Sequence, residues 1–375
     1  MKELSLYIHI PFCESKCHYC NFVSVKGKNS EKEKYISALI KEIELNKNNT
    51  DIVKTIFIGG GTPSSLNDGD ILKISNAIYD NFIVNENVEF SIEVNPNSFT
   101  LNKAKEYKKA KVNRISFGLQ SGSDKILKSI NRIHNKNDFI NSIKIAKQEG
   151  FTNLNTDILI GLPSQKLKDV KSTLKLLLKL KIPHISCYSL ILEENTPLYK
   201  LINSKKLKLP SEETTLKMYD FVVKKLNKNK IFRYEVSNFA KLNSECKHNL
   251  TYWNLKNYLG LGLNSHSKID DVRLENYSDF ASYYNSLENN KKPIKEVIKL
   301  SKQDNKEEYV MLKLRTREGI NLSEYKTLFN ENLEIVKAKE INFLLKNGFV
   351  KITNSHLSAT NLGFSVLNSI IIKLI

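Results

Sequence analysis

The chain has 375 residues, of which 41% are hydrophobic and 26% charged, a composition typical of a soluble globular protein. Its formal net charge is +18, but only six of its 58 basic residues are arginine and the lysines are dispersed, so no basic arm is indicated. The sequence contains no apolar run of 18 residues, no signal-peptide pattern at its N-terminus, and only five cysteines, so we expect a cytoplasmic protein without a membrane span or a disulfide scaffold.

Short apolar runs alternate with longer segments of helical period over the first half of the chain. The predicted strands are residues 4–10, 55–60, 89–94, 114–119, 155–161 and 184–190. The predicted helices between them include residues 31–46, 66–81, 138–149 and 169–180. Six such units predict a parallel α/β fold with fewer strands than the eight of a closed barrel, and therefore a partial, TIM-like (β/α)6 barrel.

The second half of the sequence changes character twice. A predicted helix at 211–229 is followed by an aromatic, glycine-rich segment, 234–267, which has no clear period. From residue 304, helices at 306–314, 322–329 and 333–346, a hairpin within 348–364 and a final helix predict a winged-helix-like α+β domain. We therefore expect three parts, which are residues 1–235, 236–303 and 304–375.

Three cysteines lie within eight residues, directly after the first predicted strand. Cys13, Cys17 and Cys20 form the spacing CxxxCxxC on the first loop of the barrel. Three thiolates can hold three irons of a [4Fe–4S] cluster and leave the fourth iron open for a ligand. Two alternatives stay open, namely a fortuitous grouping and a zinc site completed by His18, although structural zinc sites usually join two separate pairs of ligands.

Seven further segments occur in order along the chain: YIHIPFC, GGGTPS, EVNP, RISFGLQS, NTDILIGLPSQ, SCYSLILEENTPLY and YEVSNFA. Together with the cysteine spacing, they resemble the radical S-adenosylmethionine (SAM) superfamily over nearly the whole chain. The resemblance is to the branch that contains oxygen-independent coproporphyrinogen III oxidase (HemN) and the haem chaperone HemW. It implies a radical SAM barrel, a [4Fe–4S] cluster on Cys13, Cys17 and Cys20, SAM bound at the open iron, and an electron donor.

The same resemblance implies which residues contact the cofactor. Glycines after the second strand would let the backbone approach SAM closely, and carboxylates would pair with its hydroxyl or ammonium groups. The implied residues are Tyr7, Tyr19, Gly60, Gly61, Thr62, Glu93, Gln120, Arg132 and Asp157. The alternative interpretations are core aromatics for the two tyrosines, a simple turn for the glycines, and a surface ion pair for Arg132.

Three details favour the chaperone over the oxidase within this branch. The oxidase has a fourth cysteine where this chain has Phe22, and it has a longer extension than the 12 residues that precede Cys13 here. The segment CKHNLTYW also carries the HNxxYW pattern of the chaperone, which makes His248 the predicted haem ligand. Alternatives are Cys246, His266, or a hydrogen-bonded loop histidine in place of a ligand. Asn21 departs from the aspartate usual in the chaperone.

We therefore predict a haem chaperone that binds haem, a [4Fe–4S] cluster and SAM, and that transfers haem to membrane respiratory proteins. No catalytic residue is assigned, and whether the chain is an enzyme stays open. The first alternative is coproporphyrinogen III decarboxylation. The second is a basic nucleic-acid-binding protein that uses the winged-helix-like tail, although we expect no nucleic-acid partner. The sequence leaves open peripheral contact with an anionic membrane and the formation of a homodimer.

Overall fold

The computed structural model describes all 375 residues, Met1 to Ile375. The strands are β1 Glu3–Ile10, β2 Asn48–Gly60, β3 Phe82–Val94, β4 Arg114–Gln120, β5 Asn153–Ile160, β6 His184–Ser189, β7 Phe232–Arg233, β8 Asn238–Ala240, β9 Tyr258–Leu261, β10 His266–Ile269, β11 Val272–Asn276, β12 Ile294–Lys299, β13 Ile320–Asn321, β14 Val350–Thr353 and β15 His356–Ala359. The helices are α1 Asn29–Leu45, α2 Asp70–Asn81, α3 Leu101–Lys109, α4 Asp124–Ser129, α5 Lys136–Gln148, α6 Leu167–Lys179, α7 Pro197–Asn203, α8 Glu212–Lys228, α9 Lys247–Trp253, α10 Phe280–Glu288, α11 Lys302–Lys313, α12 Leu322–Phe329, α13 Leu333–Val336, α14 Ala338–Lys346, α15 Asn361–Ser365 and α16 Leu367–Leu374.

The first six strands lie side by side in chain order, and every neighbouring pair is parallel. The outer strands of this group do not pair with each other. Instead, β1 pairs in parallel with β9, and β6 pairs antiparallel with β8. The prediction of a partial, open (β/α)6 barrel is therefore confirmed.

Alternation along the strands separates an apolar outer face from a polar inner face. In β1, the fully buried Leu6 and Ile8 belong to the main hydrophobic core, while the intervening residues are polar or aromatic. In β5, Leu154 and Ile158 join the same core, and Asn155 and Asp157 lie on the other face. Because the period of a strand is two, this pattern directs polar side chains into the barrel, where a ligand can use them.

The segment 234–267, which shows no clear period in the sequence, contains several short regular elements. It contains β8, α9, β9 and the start of β10, and β9 extends the barrel sheet beyond β1. The sheet then continues through antiparallel β10, β11 and β12 to a total of 12 strands. Strands β9 to β12 have four to six residues each, too few to show a period in the sequence.

The C-terminal part has its own hydrophobic core, which runs from Tyr309 to Leu374. Helices α11, α12 and α14 pack with a three-stranded antiparallel sheet in the order β13–β15–β14, as expected for a winged-helix-like domain. The predicted helix 333–346 is divided at Lys337 into α13 and α14. None of the helices combines the length and apolar character that a membrane span requires.

Candidate functional site

A cavity of about 370 Å³ lies at the carboxyl ends of the six parallel strands. It collects the predicted cofactor and metal residues from the loops and strand ends of the barrel, with the exceptions of Tyr7 and His248. The predicted residues that line it are Cys13, Cys17, Tyr19, Cys20, Gly60, Gly61, Thr62, Glu93, Gln120, Arg132 and Asp157. The carboxyl ends of parallel strands are where such folds place their ligands, because the loops there converge.

The cysteine loop is held in place by the residue that precedes its first cysteine. Phe12 is 1% exposed and packs edge-on against Tyr35 with 5.4 Å between ring centroids. On either side of it, the backbone N–H of Cys13 donates to Val25 O at 2.9 Å, and the N–H of Val25 donates to Pro11 O at 2.8 Å. The base of the loop is therefore fixed, while all three cysteines are only partly buried and border the cavity.

Polar partners stand beside two of the three thiols. Cys13 Sγ lies 3.4 Å from Thr62 Oγ1, and Cys17 Sγ lies 3.4 Å from Nη1 of Arg132. Burial raises the pKa of Cys20, and the backbone N–H of Phe22 opposes this effect. Cysteine binds metal as the thiolate, and the guanidinium of Arg132 places a positive charge beside Cys17.

The three cysteines and the side chains around them fit one of the two kinds of metal site proposed from the sequence better than the other. No three His, Cys, Asp or Glu side chains converge closely enough for a single metal ion, and His18 does not line the cavity. A [4Fe–4S] cluster makes a different demand, because each thiolate binds a different iron and the sulfurs surround the cluster. Three thiols spread around one side of a cavity therefore fit a cluster with one open iron better than they fit zinc.

The glycines after β2 leave room that any other residue would fill. Gly60 has a φ of 112°, and a Cβ placed on it would lie 2.6 Å from the ring of His9. A Cβ on Gly61 would lie 2.7 Å from the carbonyl oxygen of Phe12. These glycines let the second loop pack directly against the cysteine loop, and they expose backbone atoms to the cavity.

Arg132 connects the cysteine loop to two strand ends. Besides its contact with Cys17, its Nη2 donates to Asn95 Oδ1 at 2.7 Å and to the carbonyl oxygen of Gly118. Its Nε is buried without a partner. The guanidinium is therefore a fixed positive charge at the cavity wall, and its Nε–H is left for a ligand.

Two carboxylates of the cavity wall, Glu93 and Asp157, lie close enough for their charges to interact. Burial and, to a smaller extent, the charge of Asp157 raise the pKa of Glu93 to about 8, although the Gly60 N–H, which donates at 3.1 Å, acts against them. Burial also raises the pKa of Asp157, whereas its hydrogen bonds and the charge of Arg132 lower it. An acidic pair beside a fixed guanidinium suits a ligand that carries both positive and negative groups.

Gln120 and several residues not predicted from the sequence also line the wall. Gln120 ends β4 with a φ of 65°, an uncommon conformation that often marks functional sites. Asn95, Ser116 and Tyr188 also line the cavity, and each lies within a motif already quoted for its neighbours. The period of two in β4 would have identified Ser116, because it places this residue on the same face as Gly118 and Gln120.

Tyr7 lies deeper in the barrel than the cavity wall. Its hydroxyl is 3.1 Å from Nδ1 of His9, and its ring lies 6.3 Å from that of Phe57. Burial, followed by the charge of Glu93, raises the pKa of Tyr7, so the phenol is neutral. The structure therefore places Tyr7 near the carboxylate pair but not on the cavity surface.

His248 lies apart from the cavity, on α9, and is 1% exposed. Its Nδ1 is 2.7 Å from Thr55 Oγ1, and its Nε2 is 2.9 Å from the hydroxyl of Tyr252. Thr55 donates its own proton to Ser5, so it accepts from Nδ1–H, and Nε2 accepts from Tyr252. Burial lowers the pKa of His248 to about 3. The ring is neutral, and both of its nitrogens are occupied.

Comparison with known proteins gives matches in both parts of the chain. Residues 7–177 match the family model of the Radical SAM superfamily, and residues 300–366 match the HemN C-terminal domain. The chain is 34% identical over 362 residues to the haem chaperone HemW of Bacillus subtilis (strain 168), with 96% of each chain covered. It is 36% identical over 387 residues to HemW of Buchnera aphidicola subsp. Acyrthosiphon pisum, which covers 99% of this chain and 98% of the relative.

Among solved structures, coproporphyrinogen III oxidase (HemN) from Escherichia coli has a TM-score of 0.87 to this chain. The match covers 100% of this chain and 90% of that structure, at 22% sequence identity. At this identity the likeness establishes the fold alone.

Proposed function

Because the chain belongs to the HemN/HemW branch of the radical SAM superfamily, we propose that it is a haem chaperone that holds a [4Fe–4S] cluster and SAM in the barrel cavity and delivers haem to membrane respiratory proteins. The observation that carries this proposal is the extent of similarity to HemW, 34–36% identity over 96–99% of the chain. Phe22 in place of the oxidase's fourth cysteine is consistent with it.

The cluster would be held by Cys13, Cys17 and Cys20. When bound, it would supply an electron to SAM at its open iron. The chain's own contribution is electrostatic and steric. Arg132 beside Cys17 offsets the negative charge of the thiolates, and Gly61 lets the β2 loop approach the cysteine loop.

SAM would occupy the rest of the cavity. It carries a sulfonium and an ammonium group, which suit the carboxylates of Glu93 and Asp157, and a carboxylate, which suits the free Nε of Arg132. Tyr19, which also lines the cavity, offers an aromatic face for the adenine.

Haem is the cargo in this proposal, and His248 is its ligand. In the arrangement described here the imidazole is buried, so iron reaches Nε2 only after α9 shifts and the Tyr252 hydroxyl leaves. The helix is only seven residues long, which makes such a shift less costly than opening a long helix. The proposal also includes a haem acceptor and an electron donor.

Titration of the protein with haem tests the ligand assignment. His248→Ala should weaken the Soret band, whereas His266→Ala, which removes an exposed histidine on β10, should leave it unchanged. Tyr252→Phe removes the hydroxyl that occupies Nε2 but keeps the ring, so it should tighten haem binding about fivefold. Unchanged binding in both His248→Ala and Tyr252→Phe would overturn the assignment.

A further inference from the structure

A continuous chain of hydrogen bonds runs through the barrel interior from α9 to the cavity. The backbone N–H of Cys246, the residue that caps α9, is 3.3 Å from the hydroxyl of Tyr234, and this hydroxyl is 2.9 Å from Nε2 of His184. Nδ1 of His184 is 2.5 Å from Asn155 Oδ1, and Asn155 Nδ2 is 2.7 Å from Oδ1 of Asp157. Three side chains therefore connect the floor of the barrel with a carboxylate of the cavity.

Each link in this chain has a fixed direction. Burial lowers the pKa of His184 well below its ordinary value, so the ring is neutral and has one donor and one acceptor nitrogen. Asn155 Nδ2 donates to Asp157, so its Oδ1 faces His184 and accepts from Nδ1–H. Nε2 of His184 then accepts from the hydroxyl of Tyr234. Every proton is donated toward Asp157.

The chain of hydrogen bonds ends on Asp157, a buried carboxylate whose charge depends on hydrogen-bond donors. Burial disfavours the charge of Asp157, and the carboxylate of Glu93 lies close enough for the two charges to interact. The groups that favour its charge are Ser186, Asn155, Ser116, whose hydroxyl donates to Oδ2 at 3.1 Å, and the more distant Arg132. Asn155 is itself buried, and His184 holds its amide in the donating orientation.

We propose that Asn155, His184 and Tyr234 are positioning residues, which keep the Asp157 carboxylate charged and directed toward the cavity ligand. None of them lines the cavity that holds Cys13, Cys17 and Cys20. The inference rests on the proposed function in one respect, which is that the cavity ligand is SAM.

The test measures the dissociation constant of SAM on anaerobically reconstituted protein. Asn155→Ala, His184→Phe and Tyr234→Phe remove successive links, and the loss of SAM affinity should decrease in that order, from about tenfold or more to about twofold. His184→Gln should restore affinity to within about threefold of the wild type, because glutamine can donate to Asn155 and accept from Tyr234 at once.

The matched control is Tyr107→Phe. It removes the same hydroxyl from a buried tyrosine on α3 whose oxygen has no partner, and it should leave SAM affinity unchanged. Combining Tyr234→Phe with Asp157→Asn should give no loss beyond that of Asp157→Asn alone, since the chain acts only through that carboxylate. Thermal midpoints recorded in parallel report the purely structural cost of each change.

The outcomes separate the two proposals. If wild-type protein with an intact cluster does not bind SAM, the proposed function fails and the inference fails with it. If the wild type binds SAM and His184→Phe, His184→Gln and Tyr107→Phe are indistinguishable, only the positioning role is overturned. The positioning role is also overturned if Tyr234→Phe lowers SAM affinity by the same factor in the wild type and in Asp157→Asn.

Discussion

Glu93→Gln should stabilise the fold of the apoprotein while it weakens binding of the ligand. Burial and the charge of Asp157 raise the pKa of Glu93 to about 8, and an unfolded glutamate has a pKa of about 4.3. Between these two values the folded state holds a proton that the unfolded state has released. The stability contributed by Glu93 is therefore complete below about pH 4.3 and is lost as the pH rises through about 8.

The size of the effect follows from this gap. One pKa unit corresponds to about 1.4 kcal/mol, so the gap sets an upper limit of about 4 kcal/mol at pH 7. The Glu93 side chain keeps some accessible surface at the cavity wall, so we expect about 1–3 kcal/mol in practice. Glutamine keeps the shape and the acceptor for the Gly60 N–H and does not carry the charge.

Urea denaturation of the apoprotein from pH 6 to pH 9 measures this difference. The wild type should lose stability relative to Glu93→Gln as the pH rises, and the two should then differ by a constant amount above about pH 8. Glu33→Gln, on the exposed face of α1, is the control and should change stability by less than about 0.5 kcal/mol. A Glu93→Gln variant that is less stable than the wild type at pH 8, or that has the same pH slope, would refute the reasoning.

Three further variants test the cysteine loop and its supports. Cys17→Ala should abolish the iron–sulfur absorption of reconstituted protein. The control Cys187→Ala, which removes a buried thiol of β6 outside the cavity, should retain this absorption. Absorption retained in Cys17→Ala would exclude the cluster assignment. Gly60→Ala should lower the free energy of unfolding by about 1–3 kcal/mol, because alanine is strained at a φ of 112° and its Cβ meets His9. Unchanged stability in urea denaturation would contradict this prediction and show that the loop relaxes. Arg132→Gln should shorten the lifetime of the reduced cluster in anaerobic spectroscopy, because the positive charge beside Cys17 is lost, and an equal lifetime would show that this charge is not needed.

The barrel and its cavity were predictable because local patterns determine them. Alternation along β1 and β5 separates outward apolar residues from inward polar residues, and parallel order brings the strand ends together. Cys13, Gly60 and Asp157 are far apart in sequence, but Cys13 follows β1, Gly60 ends β2 and Asp157 lies in the second half of β5, so the strand assignment places them towards one edge.

The segment 234–267 was not predictable in this way, because tertiary contacts determine its structure. The loop after β9 is fixed by the buried Glu42 of α1, which accepts hydrogen bonds from Gly262 N at 2.8 Å, Asn276 Nδ2 at 2.6 Å and the hydroxyl of Tyr283 at 2.6 Å. These partners come from β11 and α10 as well as from the loop. No local pattern in the sequence indicates such a centre.

The depth of a residue in the barrel was equally beyond sequence reasoning. His248 was assigned from its motif, but its position depends on α9 packing beneath the strands, where Thr55 and Tyr252 occupy both ring nitrogens. Tyr7 differs from the cavity residues for a related reason. Through the strand register it lies level with Phe57, Ser91 and Arg114, the first residue of β4, and therefore below the cavity wall.

The reaction with coproporphyrinogen III tests the central claim most directly, because it separates a haem chaperone from an oxidase of the same fold. Anaerobically reconstituted protein that shows cluster absorption and binds haem would be incubated with coproporphyrinogen III, SAM and a reductant, and the porphyrinogens would be separated after oxidation. The account predicts that coproporphyrinogen III is recovered unchanged by a preparation that retains haem binding. Formation of protoporphyrinogen IX, lost in the Cys17→Ala variant, would contradict it.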